Sequence, residues 1–375
     1  MTVIKPGQTI GILGGGQLGR MMALSAREMG YRIAVLEPTE HSPCGQISDV
    51  EIIATYDSRE GAMKLAETCD VLTYEFENIN KETAKWLENH LYLPQGYQLL
   101  EMTQHRAREK QAITSFGLPV APYHVVDSLE KLDNALEQIG VPAVLKTCTG
   151  GYDGKGQAVI KQKSDSNYAF EQLQGKGELI VEQWVPFIKE LSVIVTRSVH
   201  GEVTTFPVAE NIHRNNILHQ TIVPARIPEH VQEQARKMAV DLAEGLNMKG
   251  TLAVEMFLTE SFDLYINELA PRPHNSGHYT MNACETSQFE QHIRAICGWP
   301  LGGTTLVKPV VMVNILGEHL QSVLDNLPKY STMKLHLYGK SEAKEGRKMG
   351  HLNVLADSVE NALLEIEKLA IWPNE

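Results

Sequence analysis

Between Val144 and Gln157 the chain reads VLKTCTGGYDGKGQ. A short apolar run ends in Lys146 and opens into a loop with four glycines within seven residues, Gly150, Gly151, Gly154 and Gly156. Glycines without Cβ atoms let successive backbone N–H groups turn inward around an anion, and Lys146 and Lys155 add point charges on either side. The stretch therefore predicts a strand, a phosphate-cradling loop and a return strand. It is not a Walker A loop, because no Gly-Lys-Ser/Thr follows a four-residue spacer and no helical pattern opens directly behind it. The alternative is a tight hairpin with solvated lysines, so the rest of the chain decides.

The N-terminal segment begins with a strand, Thr9 to Leu13, followed by Gly14-Gly-Gly-Gln-Leu-Gly19-Arg20, a helical stretch from Met21 to Met29, and a second strand from Arg32 to Leu36 that ends in Glu37. This satisfies G-x-G-x-x-G with an acid after the second strand, the dinucleotide fingerprint, and makes a nicotinamide oxidoreductase one reading. A glycine turn feeding a helix equally serves any phosphate, or merely close packing of helix on strand. Glu51 to Ala54 reads as a strand, Gly61 to Cys69 as a helix, Val71 to Tyr74 as a strand ending in Glu75-Phe-Glu77-Asn78, and Lys81 to Glu88 as a helix. Such alternation builds a parallel sheet with helices on both faces. Functional groups then gather at strand C-termini, where Gln17, Glu37 and Glu75 fall; Glu75 and Glu77 read equally as helix-capping acids.

Beyond Arg106 a helical stretch reaches Ser115, and Gly117 to Pro122 is an extended linker. Helices Leu129 to Ile139 and Asp165 to Leu173 alternate with strands Ala143 to Lys146, Ala158 to Ile160 and Leu179 to Glu182. This order fits a lid-like subdomain from about 120 to 180, whose loop can fold over a nucleotide. The last strand runs on as Gln183-Trp184-Val185-Pro186, an exposed backbone able to hydrogen-bond an adenine edge, and Glu190 opens the next strand within reach of a ribose hydroxyl. Thr251 to Leu258 and Leu264 to Arg272 read as an antiparallel pair joined across Thr259 to Asp263. Val254 and Met256 share one face, and Glu255 sits on the other with a parity that matches Glu268. Two facing carboxylates repel unless a cation lies between them, and hard oxygen ligands with open positions suit Mg²⁺ or Mn²⁺; the alternative is a pair of solvated strand acids. Ser287 to Cys297 reads as a helix and Pro309 to Ile315 as a strand. Met333 to Tyr338, Gly350 to Ala356 and helix Val359 to Ala370 make a small C-terminal α+β cap.

At 375 residues the chain needs two or three domains. Its formal charge of −12 argues against nucleic-acid and anionic-membrane partners, so a phosphorylated substrate requires a local cationic pocket. No leader-like segment or bilayer-length apolar run is present, which points to the cytoplasm. Cys44, Cys69, Cys148, Cys284 and Cys297 are scattered without a Cys-x-x-Cys pair, so spacing favours neither disulfides nor zinc.

The lysine strand, glycine-rich lid, Ile-Val-Glu-Gln hinge and paired acids together resemble the ATP-grasp superfamily. GGYDGKGQ (Gly150 to Gln157), NELAPRPHNSGH (Asn267 to His278), GGGQLGR (Gly14 to Arg20) and GRKMGHLN (Gly346 to Asn353) resemble, over nearly the whole chain, the N5-carboxyaminoimidazole ribonucleotide synthetases of purine biosynthesis. The resemblance implies an α/β, ATP-grasp architecture: an N-terminal parallel-sheet domain over 1–104, an ATP-grasp domain with its lid over 105–300, and the cap over 301–375. It implies ATP contacts from Arg106, Lys146, Gly151, Tyr152, Asp153, Gly154, Lys155, Gly156, Gln157, Glu182, Gln183, Trp184, Val185, Glu190, His213, Asn267 and Glu268, and a Mg²⁺ or Mn²⁺ ion on Glu255 and Glu268. Taken alone, His213 reads as a surface histidine. Aminoimidazole ribonucleotide would lie against Glu75, Tyr152, Asp153, Arg272, His274, Asn275, Ser276, Lys340 and Arg347. Lys340 and Arg347 would supply the cationic pocket, although Lys340 to Lys348 alone reads as a solvated basic loop.

The implied chemistry has bicarbonate attack the ATP γ-phosphorus beside Lys146, giving carboxyphosphate. Arg272 then orients the carboxyl oxygens, Asp153 positions the amine, and closure of the glycine loop keeps water out. A homodimer is implied as well. Many ATP-grasp enzymes have an Asn where this chain has Ala270, which leaves the second metal's ligand count open. Biotin carboxylases carry a Glu near the position of Ser276, and Thr332-Met-Lys334-Leu lacks the flanks of a biotin site, so biotin is not expected. A formate-using ATP-grasp transformylase is the near rival.

Overall fold

The first hundred residues build the parallel sheet that the alternation predicts. The computed structural model describes residues 3–151 and 155–372. Its opening elements are β1 (Thr9–Leu13), α1 (Gln17–Glu28), β2 (Arg32–Glu37), β3 (Val50–Ile53), α2 (Arg59–Thr68), β4 (Val71–Tyr74) and α3 (Lys81–Glu88). The strands lie parallel in the order β3-β2-β1-β4. Alternation along each strand sends Ile10, Ile12, Ile33, Val35 and Val71 to one face, with Met21, Met22 and Ala26 of α1. Leu13, Ala34, Leu36, Leu72 and Tyr74 take the other, with Leu65 of α2 and Leu87 of α3. Ser58 and Asn80 cap α2 and α3 by accepting from their first free amides. Helix α1 starts at Gln17, earlier than the apolar pattern predicts, because Glu75 accepts from the amides of Gly16 and Gly19 and so anchors the glycine turn to the helix start.

Helices α4 (Tyr97–Thr103) and α5 (Arg106–Ser115) lead to the lid, made of β5 (Tyr123–Val126), α6 (Leu129–Ile139), β6 (Ala143–Thr147), β7 (Gln157–Ile160), α7 (Ser166–Leu173) and β8 (Leu179–Gln183). Its strands pair antiparallel in the order β5-β8-β6-β7. One apolar core joins Leu132 and Leu136 of α6 to Leu145, Ile160, Leu173 and Val181. The sequence reading has no counterpart of β5, a short edge strand that follows Pro119 and Pro122.

The remaining elements are β9 (Phe187–Arg197), β10 (Val203–Thr205), β11 (Ala209–Arg214), β12 (Ile217–Val223), α8 (Glu229–Gly245), β13 (Gly250–Thr259), β14 (Leu264–Ala270), α9 (Thr280–Ala283), α10 (Gln288–Cys297), β15 (Val310–Leu316), α11 (Leu320–Asp325), β16 (Met333–Leu337), β17 (Lys348–Leu355) and α12 (Val359–Leu369). They build a nine-stranded sheet ordered β14-β13-β9-β11-β12-β15-β17-β16, with β10 on the edge of β9. The sheet passes without a break from β12 into β15, so the C-terminal strands extend the central sheet. Val231, Ala235, Met238 and Leu242 of α8 cover Leu191, Val193, Leu252, Val254 and Met256 on one face. Ile366 and Leu369 of α12 cover Val311, Val313, Leu352 and Val354. The opposite face of β9, β11, β13 and β14 carries Glu190, Asn211, Glu255 and Glu268 beside a small apolar cluster of Ile194, Phe206, Ala253 and Ala270. No helix among the described residues is long and apolar enough to cross a membrane.

Candidate active site

The polar face of the sheet, the underside of the lid and the C-terminal end of β4 enclose a cavity of about 500 Å³, a size that suits a nucleotide. Strand parity supplies its floor. Glu255 of β13 stands opposite Glu268 of β14, the pairing expected from the sequence, although unbroken alternation from Leu258 and Leu264 would set Glu255 against Asn267. A bulge follows Glu255, so Met256 pairs with Ile266 and Asn267 is the extra residue, turned to the cavity. Glu190 of β9 pairs with Phe257 on one side and Asn211 on the other, which puts it on the same face. Burial and the charge of Glu268 push the Glu255 carboxyl up to about 8. Such an acid ionises readily only beside a cation, and two carboxylates from adjacent strands are a hard oxygen donor set that fits Mg²⁺ or Mn²⁺.

The lid contributes the roof. Lys146 of β6 donates to Glu182 Oε2 of β8 at 2.9 Å. On the same oxygen lies Lys110 Nζ of α5, 3.4 Å away and 2% exposed. Burial opposes a charge on Glu182, but Lys146 and Lys110 outweigh it and hold its pKa down at about 2. Arg106, the first residue of α5, reaches Gly151 O at 3.2 Å and Glu268 Oε2 at 3.5 Å, tying the glycine loop to the carboxylate floor. A Cβ on Gly151 would come 2.8 Å from Lys155 O, so this close approach requires glycine. Gly150, Gly151, Lys155 and Gln157 line the cavity. Tyr152, Asp153 and Gly154 lie outside the described residues.

At the hinge, the Gln183 amide is taken by Pro122 O and that of Trp184 by Pro142 O. That corrects the expectation of an exposed hinge backbone for these two amides, and the Val185 carbonyl accepts from the Phe187 amide at 2.8 Å. Phe187 and Phe257 stack at 4.6 Å beside it and form an apolar slot with Val144, Val159 and Val185. His213 is not a free surface residue: its Nδ1 lies 3.1 Å from Glu190 Oε2, and although burial disfavours its charge, that carboxylate raises its pKa.

Arg272 lines the cavity with its Nε on Glu77 Oε2 at 2.6 Å. Burial opposes its charge, and the Glu77 carboxylate restores it. His274 is turned toward the carboxylate floor, its Nε2 3.1 Å from Glu255 Oε1. Behind it runs a buried relay. Thr221 donates to Asn211 at 3.0 Å, Asn211 to Ser192 at 2.9 Å, and Ser192 to Ser276 Oγ at 2.8 Å, which leaves the Ser276 hydroxyl proton for His274 Nδ1 at 2.9 Å. These donors place the ring proton of His274 on Nε2, facing Glu255; burial and the Arg272 charge keep the ring neutral. Ser276 therefore acts behind the cavity wall and does not line it. Asn275 does line it, and neither its side-chain nitrogen nor its oxygen has a protein partner.

Glu75, Lys340 and Arg347 fall outside this cavity, at the junction of the glycine turn and the loop between β16 and β17. Glu75 is buried and accepts from Gly16 and, at 2.7 Å, from Gly19. Gly15 donates to Glu37 at 2.9 Å. These contacts remove the basis for a nicotinamide site, since the amides that would bind pyrophosphate already hold two carboxylates. Lys340 donates to Lys348 O at 2.7 Å, and Arg347 Nη1 to Glu342 O at 3.0 Å. Burial and Arg347 push the Lys340 ammonium down to about 8, with Glu75 opposing.

Lys110, Glu77 and the stacked pair Phe187 and Phe257 are the parts of this arrangement that the sequence reading does not single out. Comparison with known proteins accounts for all three parts of the chain. A ribonucleotide synthetase preATP-grasp domain matches residues 7–104, an ATP-grasp domain 111–289, and a phosphoribosylaminoimidazole carboxylase C-terminal domain 310–365. The N5-carboxyaminoimidazole ribonucleotide synthase of Bacillus subtilis is 56% identical over 364 residues, 97% of this chain and 96% of that one. An ADP complex of an N5-carboxyaminoimidazole ribonucleotide synthetase superposes with a TM-score of 0.96 at 60% identity, covering 99% of both chains. The Aspergillus clavatus enzyme in complex with ADP and 5-aminoimidazole ribonucleotide superposes at 0.91 with 32% identity, over 97% of this chain and 98% of that one.

Proposed function

The chain belongs to the N5-carboxyaminoimidazole ribonucleotide synthase family, and from that membership and the cavity's geometry we infer how its residues divide the work. It is an ATP-dependent carbon–nitrogen ligase that carboxylates 5-aminoimidazole ribonucleotide to N5-carboxyaminoimidazole ribonucleotide in purine biosynthesis. The single observation that carries the assignment of residues is the Glu255 and Glu268 pair facing Lys146 and the glycine loop across one cavity.

Adenine sits in the slot of Phe187, Phe257 and Val185, and Glu190 with His213 holds the ribose. Lys146 and Arg106 meet the phosphates. Glu255 and Glu268 would hold Mg²⁺, or Mn²⁺, which would neutralise phosphate charge when bound. Bicarbonate is the carbon donor: its oxygen attacks the γ-phosphorus, the bond to ADP breaks, and carboxyphosphate forms. The lone pair of the exocyclic amine then attacks the carboxyl carbon, phosphate leaves, and one amine proton is lost to a base. Arg272, pinned by Glu77, orients the carboxyl oxygens. Asn275 offers an unpartnered amide to the reacting groups, and His274 keeps Glu255 aligned from behind. Asp153 positions the amine. The ribonucleotide phosphate lies toward Lys340 and Arg347, with Glu75 nearer its imidazole; Tyr152 is assigned to this substrate by resemblance alone. A homodimer is what the resemblance implies, and a monomeric mass in light scattering would remove it.

The test is ADP release with bicarbonate, with and without aminoimidazole ribonucleotide, set against formate plus glycinamide ribonucleotide. The expected result is ADP formation that requires both bicarbonate and aminoimidazole ribonucleotide. Faster turnover with the formate pair would overturn the choice of substrates.

A further inference from the structure

Three ligating side chains from separate segments converge at the root of the lid, outside the floor that holds Glu255 and Glu268. His105 precedes α5, Cys148 follows β6 at the entrance to the glycine loop, and Glu178 precedes β8. One ligand atom from each lies within 4.8 Å of the other two, and His105 Nε2 is 2.9 Å from Glu178 Oε2. The backbone holds them in place: the Arg106 amide donates to Cys148 O at 2.9 Å, and the Cys148 amide to Glu178 O at 2.8 Å. Convergence therefore does not depend on an ion. Cys148 is buried, whereas half of the Glu178 side chain faces solvent and leaves an entry path. His105 Nδ1 is buried without a hydrogen-bond partner, so the protein satisfies only one side of the ring.

The donor set selects the cation. Sulfur, imidazole nitrogen and one carboxylate suit Zn²⁺, at about 2.3 Å for sulfur and about 2.0–2.2 Å for the others; Mg²⁺ demands octahedral oxygen. We propose that His105, Cys148 and Glu178 bind a zinc-type divalent cation, with a fourth position left to water, and that binding there slows the enzyme. Burial pushes the free thiol up to about 12, so the cation must displace a proton from it. The slowing follows from position. Arg106, adjacent to His105, holds both Gly151 and Glu268, so an ion clamping β6 and β8 to the start of α5 restrains the segment that grips the phosphates.

The test is a Co²⁺ titration of the full chain in excess Mg²⁺, read by the thiolate-to-cobalt absorption band in the near ultraviolet and followed by displacement with Zn²⁺. The wild type is expected to show the band at one equivalent. Cys148→Ser should abolish it, and Glu178→Gln should weaken Co²⁺ binding at least tenfold. Glu178 lies outside the cavity, so this variant keeps the test decisive should Cys148→Ser fold poorly. Zn²⁺ should slow wild-type ADP formation and leave Glu178→Gln nearly untouched at the same concentration. Absence of the band in the wild type, its persistence in Cys148→Ser, or equal Co²⁺ affinity in Glu178→Gln overturns the site. Because the band is read without turnover, the outcome does not depend on the substrates assigned above.

Discussion

Replacing Glu182 with Gln removes a carboxylate that serves both Lys146 and Lys110. The two ammonium groups lie 2.9 and 3.4 Å from the same oxygen, and Lys110 is 2% exposed. Holding Glu182 at about 2 against an ordinary value of 4.5 corresponds to about 3 kcal/mol. The cost of breaking a buried pair by deleting one partner, about 3–5 kcal/mol, points to the same size. Lys110 belongs to α5 and Glu182 to the lid strand β8, so the loss falls on the docking of the lid. Native-state hydrogen exchange of the apo protein should show amides of β6 and β8 losing about a hundredfold in protection, while those of β1 and β2 stay unchanged. ADP should restore much of the loss, its phosphates supplying the missing negative charge. The sign with pH is fixed by the depressed pKa. The contribution is complete above about 4.5 and is lost as pH falls toward about 2, so the wild type should approach the variant only in that window. Protection in Glu182→Gln within threefold of wild type at neutral pH would refute the reasoning.

Arg272→Ala should leave ADP affinity, measured by calorimetry, within about twofold while ribonucleotide-dependent turnover falls at least a hundredfold; wild-type turnover would discard its orienting role. Lys340, with its ammonium pushed down to about 8, is charged below that pH and neutral above it. KM for aminoimidazole ribonucleotide should therefore be flat up to about 8 and rise beyond, and Lys340→Arg should move the inflection out of range; a flat wild-type profile to pH 9.5, about 1.5 units past the ammonium's value, would separate Lys340 from the phosphate. Phe257→Ala removes one ring of the 4.6 Å stack. It should raise KM for ATP about fivefold, for a loss of about 1 kcal/mol, with kcat nearly kept; an unchanged KM would place the base elsewhere.

What the sequence discloses about this fold follows the range of each signal. Strand parity is local, so Val254, Glu255 and Met256 announce which face of β13 is apolar; the hairpin alone would set Glu255 against Asn267, and only the bulge after Glu255 brings Glu268 opposite it. Helix α8 repeats Val231, Ala235, Met238 and Leu242 at helical spacing, a local signal that the sequence reading passes over. Strands β11 and β12 announce themselves poorly, because AENIHR and ILHQTIV place polar residues on the cavity face and a bulge at His213 breaks the alternation. Helix α5 gives the opposite of its signal. Arg106, Glu109 and Lys110 look like a solvated charged face, yet Glu109 and Lys110 are 3% and 2% exposed. Glu109 accepts from the Leu269 amide at 2.7 Å and Lys110 faces Glu182.

The partners that tune the site are the least legible part, since each is remote in the chain. Glu77 reads locally as a capping acid, and its guanidinium lies 195 residues away. Ser276 sits within a motif that points to substrate, but its hydroxyl is spent on His274 and on Ser192, 84 residues earlier. The distinction changes what a mutation there must do. If Ser276 held the ribonucleotide, Ser276→Ala would raise KM for that substrate. Because it fixes the His274 tautomer that faces Glu255, the same change frees the ring to flip and should weaken divalent-cation binding instead. The concentration of Mn²⁺ giving half-saturation, read by electron paramagnetic resonance in the presence of ADP, should rise about tenfold with ribonucleotide KM unchanged. A rise in KM alone would return Ser276 to the substrate side of the wall.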